Sequence, residues 1–191
     1  MNNLETTPDG VARCGWVGDD AEYRRYHDEE WGTPLHDGRA LYEKLCLEGF
    51  QAGLSWITIL RKRPAFREAF HGFDIDRVAA MDDADIERLV GNAGIIRHRG
   101  KITSTIKNAR VTQELGADGL SEMIWSFAPD AAARTRAATL AEVPGTTPES
   151  VALSKALRAR GYGFVGPTTM YALMQSAGLV DDHVLGCHRA V

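Results

Sequence analysis

LYEKLCLEGFQAGLSWITIL, Leu41 to Leu60, is the stretch whose reading decides the fold. Asp37 precedes it as an N-cap, since its carboxylate can accept from the first free amides of a helix. Leu41, Leu45, Glu48 and Ala52 then recur at spacings of four, three and four, which puts them on one helical face. Glu48 therefore shares an apolar stripe with Leu41 and Leu45. A carboxylate there is costly unless it meets a partner or a ligand. Gly49 and Gly53 loosen the chain after it, and Trp56 and Leu60 resume a helical stripe. This predicts a glutamate and a tryptophan brought together across a glycine-bounded turn. The plainer alternative leaves Glu48 exposed at a helix end and Trp56 in the core.

The 191 residues suffice for one substantial core, and a single domain is expected over 13–191. With 44% apolar and 25% charged residues, the composition is that of an ordinary soluble globular chain. No apolar run approaches the roughly 20 residues that span a bilayer. The opening MNNLETTPDG has neither the basic nor the apolar region of a signal peptide. It reads as a short disordered extension over 1–12, and the expected location is cytoplasmic, with no membrane partner.

A net charge of −4 argues mildly against a nucleic-acid partner. Its distribution says more. Asp74 to Glu87 holds six acidic residues and one basic, whereas Arg97 to Arg110 holds five Lys or Arg and no acid. Such runs are commonly solvated faces, yet this polarity allows a local basic site on an acidic protein. Three cysteines, Cys14, Cys46 and Cys187, make a disulfide framework improbable.

Along the chain, Asp19 or Asp20 can cap a helix running to about Gly32, with Tyr23, Tyr26, His27 and Trp31 on one face. Leu, Ile and Val are missing from it, so a stacking surface is at least as good a reading as core packing. Pro64 starts another helix bearing Phe66 and Phe70, and Asp74 and Asp82 cap two short ones. A long helix follows with Ile102, Ile106 and Ala109 inward, then a turn or two over Ser121 to Phe127. Ala128 to Pro148 reads as an irregular connection. Thr147-Pro148 opens a helix with Leu153 and Leu157 on its stripe. With no alternating strand in view, the fold class is all-α.

Two motifs carry chemistry. Arg160 to Pro167, RGYGFVGP, joins two helical stripes in the layout of a helix-hairpin-helix near 153–177. Gly163 and Gly166 let the backbone approach a ligand, and amides at the second helix's start favour an anion. A plain interhelical turn is the competing reading; a dinucleotide loop fails because no strand precedes it. The second motif is Cys14 and His27 at one end with His183 and Cys187, four apart, at the other. Two Cys and two His make a closed tetrahedral zinc set, although lone Cys and His residues are often simply packed.

Cys14-Gly15-Trp16, Trp31-Gly32, EGFQAGLSW at Glu48 to Trp56, AGIIRHRGKI at Ala93 to Ile102, Trp125 to Phe127, and GLVDDHVLGC ending at Cys187 together resemble the 3-methyladenine DNA glycosylase I family. The resemblance covers nearly everything from Cys14 onward. It implies a compact helix-hairpin-helix glycosylase fold whose termini are joined by one structural zinc on Cys14, His27, His183 and Cys187. It also implies a monomeric enzyme of DNA repair that flips 3-methyladenine out of double-stranded alkylated DNA and hydrolyses its N-glycosidic bond. The free base would be the product, with no lyase step.

By the same resemblance Glu48 is the catalytic carboxylate, facing the base's polar edge. Tyr26 bonds beside it, and Trp16, Tyr23, Trp31 and Trp56 supply stacking walls. Gln51, Gly53 and Leu54 would fill the gap left in the helix. Arg97, Arg99, Lys101, Gly163 and Gly166 would hold the backbone. Methylation at N3 makes adenine cationic and a good leaving group, so the site need mainly capture it, and ring faces attract cations. Two other classes compete: a zinc-stapled DNA-binding protein without catalysis, opposed by Glu48 on the apolar stripe, and a zinc hydrolase, opposed by a ligand set with no open position.

Overall fold

The computed structural model describes residues 3–190 and is mostly helical. A short hairpin opens it, β1 (Leu4–Thr6) antiparallel to β2 (Ala12–Cys14), with Leu4 opposite Cys14. Nine α-helices follow among the described residues: α1 (Ala21–Glu29), α2 (Gly38–Gln51), α3 (Trp56–Ala69), α4 (Ile75–Ala79), α5 (Asp83–Gly91), α6 (Arg99–Leu115), α7 (Ala117–Trp125), α8 (Pro148–Ala159) and α9 (Pro167–Ser176).

The start of each helix follows from its cap. Asp20, Asp37, Asp74, Asp82 and Thr147 each accept a backbone amide from the turn they precede, and Asp82 and Thr147 complete reciprocal capping boxes. His98 performs the same service for α6 through Lys101 N.

α2 is the hub. It packs against α3, α6, α7 and α9, and Leu41, Tyr42, Leu45, Cys46, Leu47 and Phe50 are all buried on it. A helix apolar on so many sides must be surrounded, and this one is. Truncating Leu45 to Ala there would cost about 2–5 kcal/mol. A second, smaller core lies where the ends of the chain meet, formed by Cys14, Val17, Tyr26, Trp31, Leu60, Val184 and Cys187. Trp56 packs against both cores. The site to be described sits at their junction.

Three sequence readings need correction. Residues expected to be a disordered extension instead form the β1–β2 hairpin; Met1 and Asn2 of that extension lie outside the described residues. The hairpin is held by Arg13, whose guanidinium reaches Asp9, Thr7 and Asp28, contacts too scattered along the chain to signal a strand. α2 is not broken at Gly49 but continues to Gln51, so the turn is confined to 52–55. Pro64 lies inside α3 rather than at its start. Ile59 and Leu60, buried in the preceding turns, carry the helix past the one amide that Pro64 lacks.

Candidate functional site

α1 and α2 set the site. Asp20 starts α1 so that Tyr23 and Tyr26 face across to α2, where Glu48 stands one turn beyond Lys44. Trp16 comes from the β2–α1 connection, Trp31 from just past α1, Gln51 ends α2, and Trp56 opens α3. These residues line one cavity of about 350 Å³. Trp16 lies 4.9 Å from the Tyr23 ring and 5.1 Å from Trp31, centroid to centroid, and Tyr26 lies 5.3 Å from Trp56. The buried Trp56 Nε1 has no hydrogen-bond partner.

Glu48 is only 3% exposed. Burial raises its carboxyl to about 7, against the pull of the Ser176 hydroxyl and of Lys44. Lys44 itself is lowered by burial while Glu48 and Glu30 favour its charge, and its ammonium stands 5.5 Å over the Tyr26 ring. Burial and the Glu48 charge raise Tyr23 to about 12 and push Tyr26 well above a free phenol. The cavity thus holds neutral phenols, indoles and the Glu48 carboxylate, poised to ionise. A flat, electron-poor heterocycle carrying positive charge suits such a lining.

The remaining lining residues are ones that sequence reading missed: Leu140, Val143, Ala172, Gln175 and Asp182. Leu140 and Val143 belong to the irregular connection, which shows no period. Ala172 and Gln175 are three apart on α9, a signal that was present in the sequence. Asp182 is 6% exposed, and both its oxygens are engaged: Arg134 donates to Oδ1 at 2.6 Å, and Tyr171 and Gln175 donate to Oδ2 at 2.6 and 2.9 Å. So held, it braces the cavity wall.

Behind the Trp16–Trp31 wall, Cys14 Sγ, His27 Nε2 and Cys187 Sγ lie within 4.8 Å of one another, all buried. His27 Nε2 is 3.4 Å from Cys187 Sγ. The His183 ring centroid is 4.9 Å from that of His27, and its Nε2 is buried without a partner. Each imidazole is oriented from behind, His27 Nδ1 by Asp28 and His183 Nδ1 by Asp181, both at 2.8 Å. Contact with the Cys14 thiol lowers Cys187, while Cys14 is raised by that contact and by burial. Two sulfurs, two imidazoles with carboxylates behind them, and an orphaned buried nitrogen are a donor set that fits one tetrahedral zinc. His188 groups with His27 and Asp28 on the other side of that imidazole, its Nε2 3.4 Å from Asp28.

The residues expected at a nucleic-acid surface divide. Gly53, Leu54 and Arg97 are exposed, and Arg99 is exposed in an ion pair with Glu87 that is cheap to exchange. Gly166 caps α9. Two readings are corrected. The Gly163 amide donates to Asn108 Oδ1 at 2.8 Å and its carbonyl accepts from Asn108 Nδ2, so that amide is not offered to a phosphate. Lys101 is 8% exposed, and its ammonium donates to the Phe50 and Ala52 carbonyls at 2.9 and 2.7 Å. Its charge is spent at the end of α2.

Comparison with known proteins agrees with this geometry. Residues 16–190 match the family described as methyladenine glycosylase. The chain is 54% identical over 179 residues to DNA-3-methyladenine glycosylase 1 of Escherichia coli (strain K12), covering 93% of this chain and 96% of that protein. It superposes with a TM-score of 0.87 on a crystal structure of a 3-methyladenine DNA glycosylase I, at 50% identity over 93% and 98% of the two chains. A Staphylococcus aureus 3-methyladenine DNA glycosylase I, studied for its 3-methyladenine recognition, gives a TM-score of 0.84 at 34% identity over 92% and 95%.

Proposed function

The chain belongs to the methyladenine glycosylase family, enzymes that hydrolyse N-glycosyl bonds, and on that premise we propose that it excises 3-methyladenine from alkylated double-stranded DNA, acting on a flipped-out nucleotide. The observation that carries the reading is Glu48, a 3% exposed carboxylate on the wall of an aromatic cavity.

The chemistry asks little of the protein. The N3-methylated base is cationic in DNA, so cleavage of its bond to C1′ takes the electron pair onto the base and neutralises it; water supplies the hydroxyl at C1′ and loses a proton. Trp16, Tyr23, Trp31 and Trp56 stack on the base and exclude solvent. Tyr26 bonds to its edge. Glu48, held near 7 by burial, ionises once a cation sits beside it, so it reads the charge on the base; its help in the cleavage itself would be to stabilise the positive charge that passes to the sugar as the bond lengthens. Unmodified adenine lacks that charge and the weakened bond, and is a poor substrate. 7-Methylguanine is cationic too and is turned away by cavity shape and by pairing at Glu48 and Tyr26.

A lyase step needs an amine in the cavity. Lysine is absent from the lining; Lys44 borders a neighbouring cavity instead. The proposed enzyme is therefore monofunctional; a monomeric state and a cytoplasmic location belong to the same proposal and rest on the family alone. Cys14, His27, His183 and Cys187 would hold one structural zinc, and so bound they would fasten the N-terminal hairpin to the C-terminal segment behind the Trp16–Trp31 wall. The turn at 52–55, led by the exposed Leu54, fills the duplex where the base has left, while Gly166 and Arg97 meet phosphates.

The test is incubation with methylated duplex DNA followed by chromatography of the released bases. Free 3-methyladenine with an intact abasic strand is the expected result. Binding without release would leave a non-catalytic DNA-binding protein.

A further inference from the structure

Lys101 comes from a run that reads as basic surface, yet it is buried, and the reason lies at the end of α2. The last carbonyls of a helix have no partner within it and carry the negative end of its dipole. Phe50 and Ala52 offer two such carbonyls, and the Lys101 ammonium donates to both, at 2.9 and 2.7 Å. The Ala52 carbonyl already belongs to the turn over 52–55, which carries Gly53 at φ 83° and the 42% exposed Leu54.

A third element closes over the same ammonium. Phe164, at the tip of the α8–α9 hairpin, has its ring centroid 6.0 Å from Lys101 Nζ. Its backbone is held at φ 57°, a region L-residues with a ring seldom adopt, and its side chain is 40% exposed. The hairpin tip comes close to α2 where Gly49 carries no side chain, since a Cβ placed there would lie only 3.2 Å from Phe164 Cβ. His98 meets the same ring edge-on at 6.1 Å. Three elements distant in sequence thus converge on one charge: the end of α2, the start of α6 and the hairpin tip.

We propose that Lys101 is a positioning residue that pins the 52–55 turn to the α8–α9 hairpin, with Phe164 as the lid over the pin. Duplex gripped at the hairpin is thereby registered against the turn that enters the lesion gap. Lys101 touches neither base nor phosphate. The proposal rests on the base-excision reading for its effect on excision, but not for the ordering of the turn.

Four measurements on Lys101→Met, which keeps the stem and removes the donors, test it. Amide exchange across 51–55 should quicken about tenfold relative to wild type, whatever the activity. Single-turnover release of 3-methyladenine from methylated duplex should fall about tenfold. Affinity for free 3-methyladenine, read by tryptophan fluorescence, should stay within about twofold. The salt slope of duplex binding should be unchanged, whereas loss of a phosphate contact would reduce it by about 0.9. Unchanged exchange, a reduced salt slope, or free-base affinity falling in step with excision each overturns the proposal. Phe164→Leu, an exposed change that leaves folding intact, should raise exchange in the same turn by a smaller factor; no change removes Phe164 from it. If wild type releases no base, the glycosylase reading fails, while the exchange comparison between wild type and Lys101→Met still decides the pin.

Discussion

Asp28 Oδ1 lies 2.8 Å from His27 Nδ1, and that contact leaves the imidazole's other nitrogen facing Cys187 Sγ at 3.4 Å. A carboxylate accepts, so Nδ1 carries the proton and Nε2 is left bare for a metal. Asp28 also receives the Arg13 guanidinium at 2.6 to 3.0 Å, and Arg13 with His27 holds it ionised against the burial that opposes its charge. Purified protein should contain one zinc per chain by elemental analysis, and Asp28→Asn should weaken zinc binding about 10–100-fold in a chelator competition. Protein with all four donors intact and no zinc would end the metal proposal.

Cys187→Ser should act on stability before chemistry. Loss of a sulfur donor should lower the melting temperature by ~10 °C, as expected for a few kcal/mol in a chain of this size. Free-base affinity in the surviving folded fraction should stay within about threefold. A variant that melts like wild type but no longer binds base would place the metal in the chemistry instead.

Glu48→Gln separates charge from shape. Release of 3-methyladenine should fall at least tenfold, with undamaged duplex bound as before. Stability should move the other way. An acid whose folded value is raised from 4.5 to about 7 binds its proton more tightly in the folded state. Wild type therefore loses stability as pH climbs from about 4.5 to 7, and above 7 carries the whole penalty of a buried carboxylate. At pH 8, denaturant titration should find Glu48→Gln more stable by roughly 2–3 kcal/mol, and at pH 4 by far less. Equal stabilities at both values would contradict the burial of the charge.

The same group sets the pH dependence of excision. In the free protein Glu48 takes up a proton below about 7 and no longer complements a cation, so kcat/KM on methylated duplex should rise with pH and level off above neutrality, while rates with the base already bound should level off at lower pH. Among the charged or titratable neighbours, Glu30 is lowered and Arg63, Tyr23 and Tyr26 are raised, all away from that window, whereas burial lowers Lys44 toward it. Glu48→Gln should flatten the curve. A variant that keeps the wild-type profile would assign it elsewhere.

Duplex binding should be weak and sequence-independent. With a net charge of −4, and with Lys101 and the Gly163 amide already committed, few phosphates are met. The logarithmic salt slope should be no steeper than about −3, near three contacts at ~0.9 each. A slope of about −6 would mean that a larger basic surface has been overlooked.

What could be read from the sequence were features written locally. The caps at Asp20, Asp37, Asp74, Asp82 and Thr147 each act within a turn of themselves, and the Leu41–Leu45–Glu48 stripe repeats at the helical period. These gave most of the helices, and placed Glu48 beside the aromatic residues. What could not be read depends on distant partners. Lys101 looks like any basic residue until the chain brings it to carbonyls of Phe50 and Ala52. Leu140 and Val143 reach the cavity from a segment without period, and strands of three residues are too short to alternate visibly. Pro64 was over-read as a start signal, because burial on either side outweighs a single missing amide.

The pairing of Cys14 with Cys187 has a consequence in time. Protein chains are made from the N-terminus, so a site that needs both residues stays open through almost the whole of synthesis. Until residue 187 exists, Cys14 and His27 wait as an exposed half-set, and the Trp16–Trp31 wall has nothing behind it. Closing so long a loop also carries a large entropic cost, which favours completing the α2-centred core first. The nascent chain should therefore acquire its helical body before its aromatic cavity, and recognition of damage becomes the last property the newly made molecule gains.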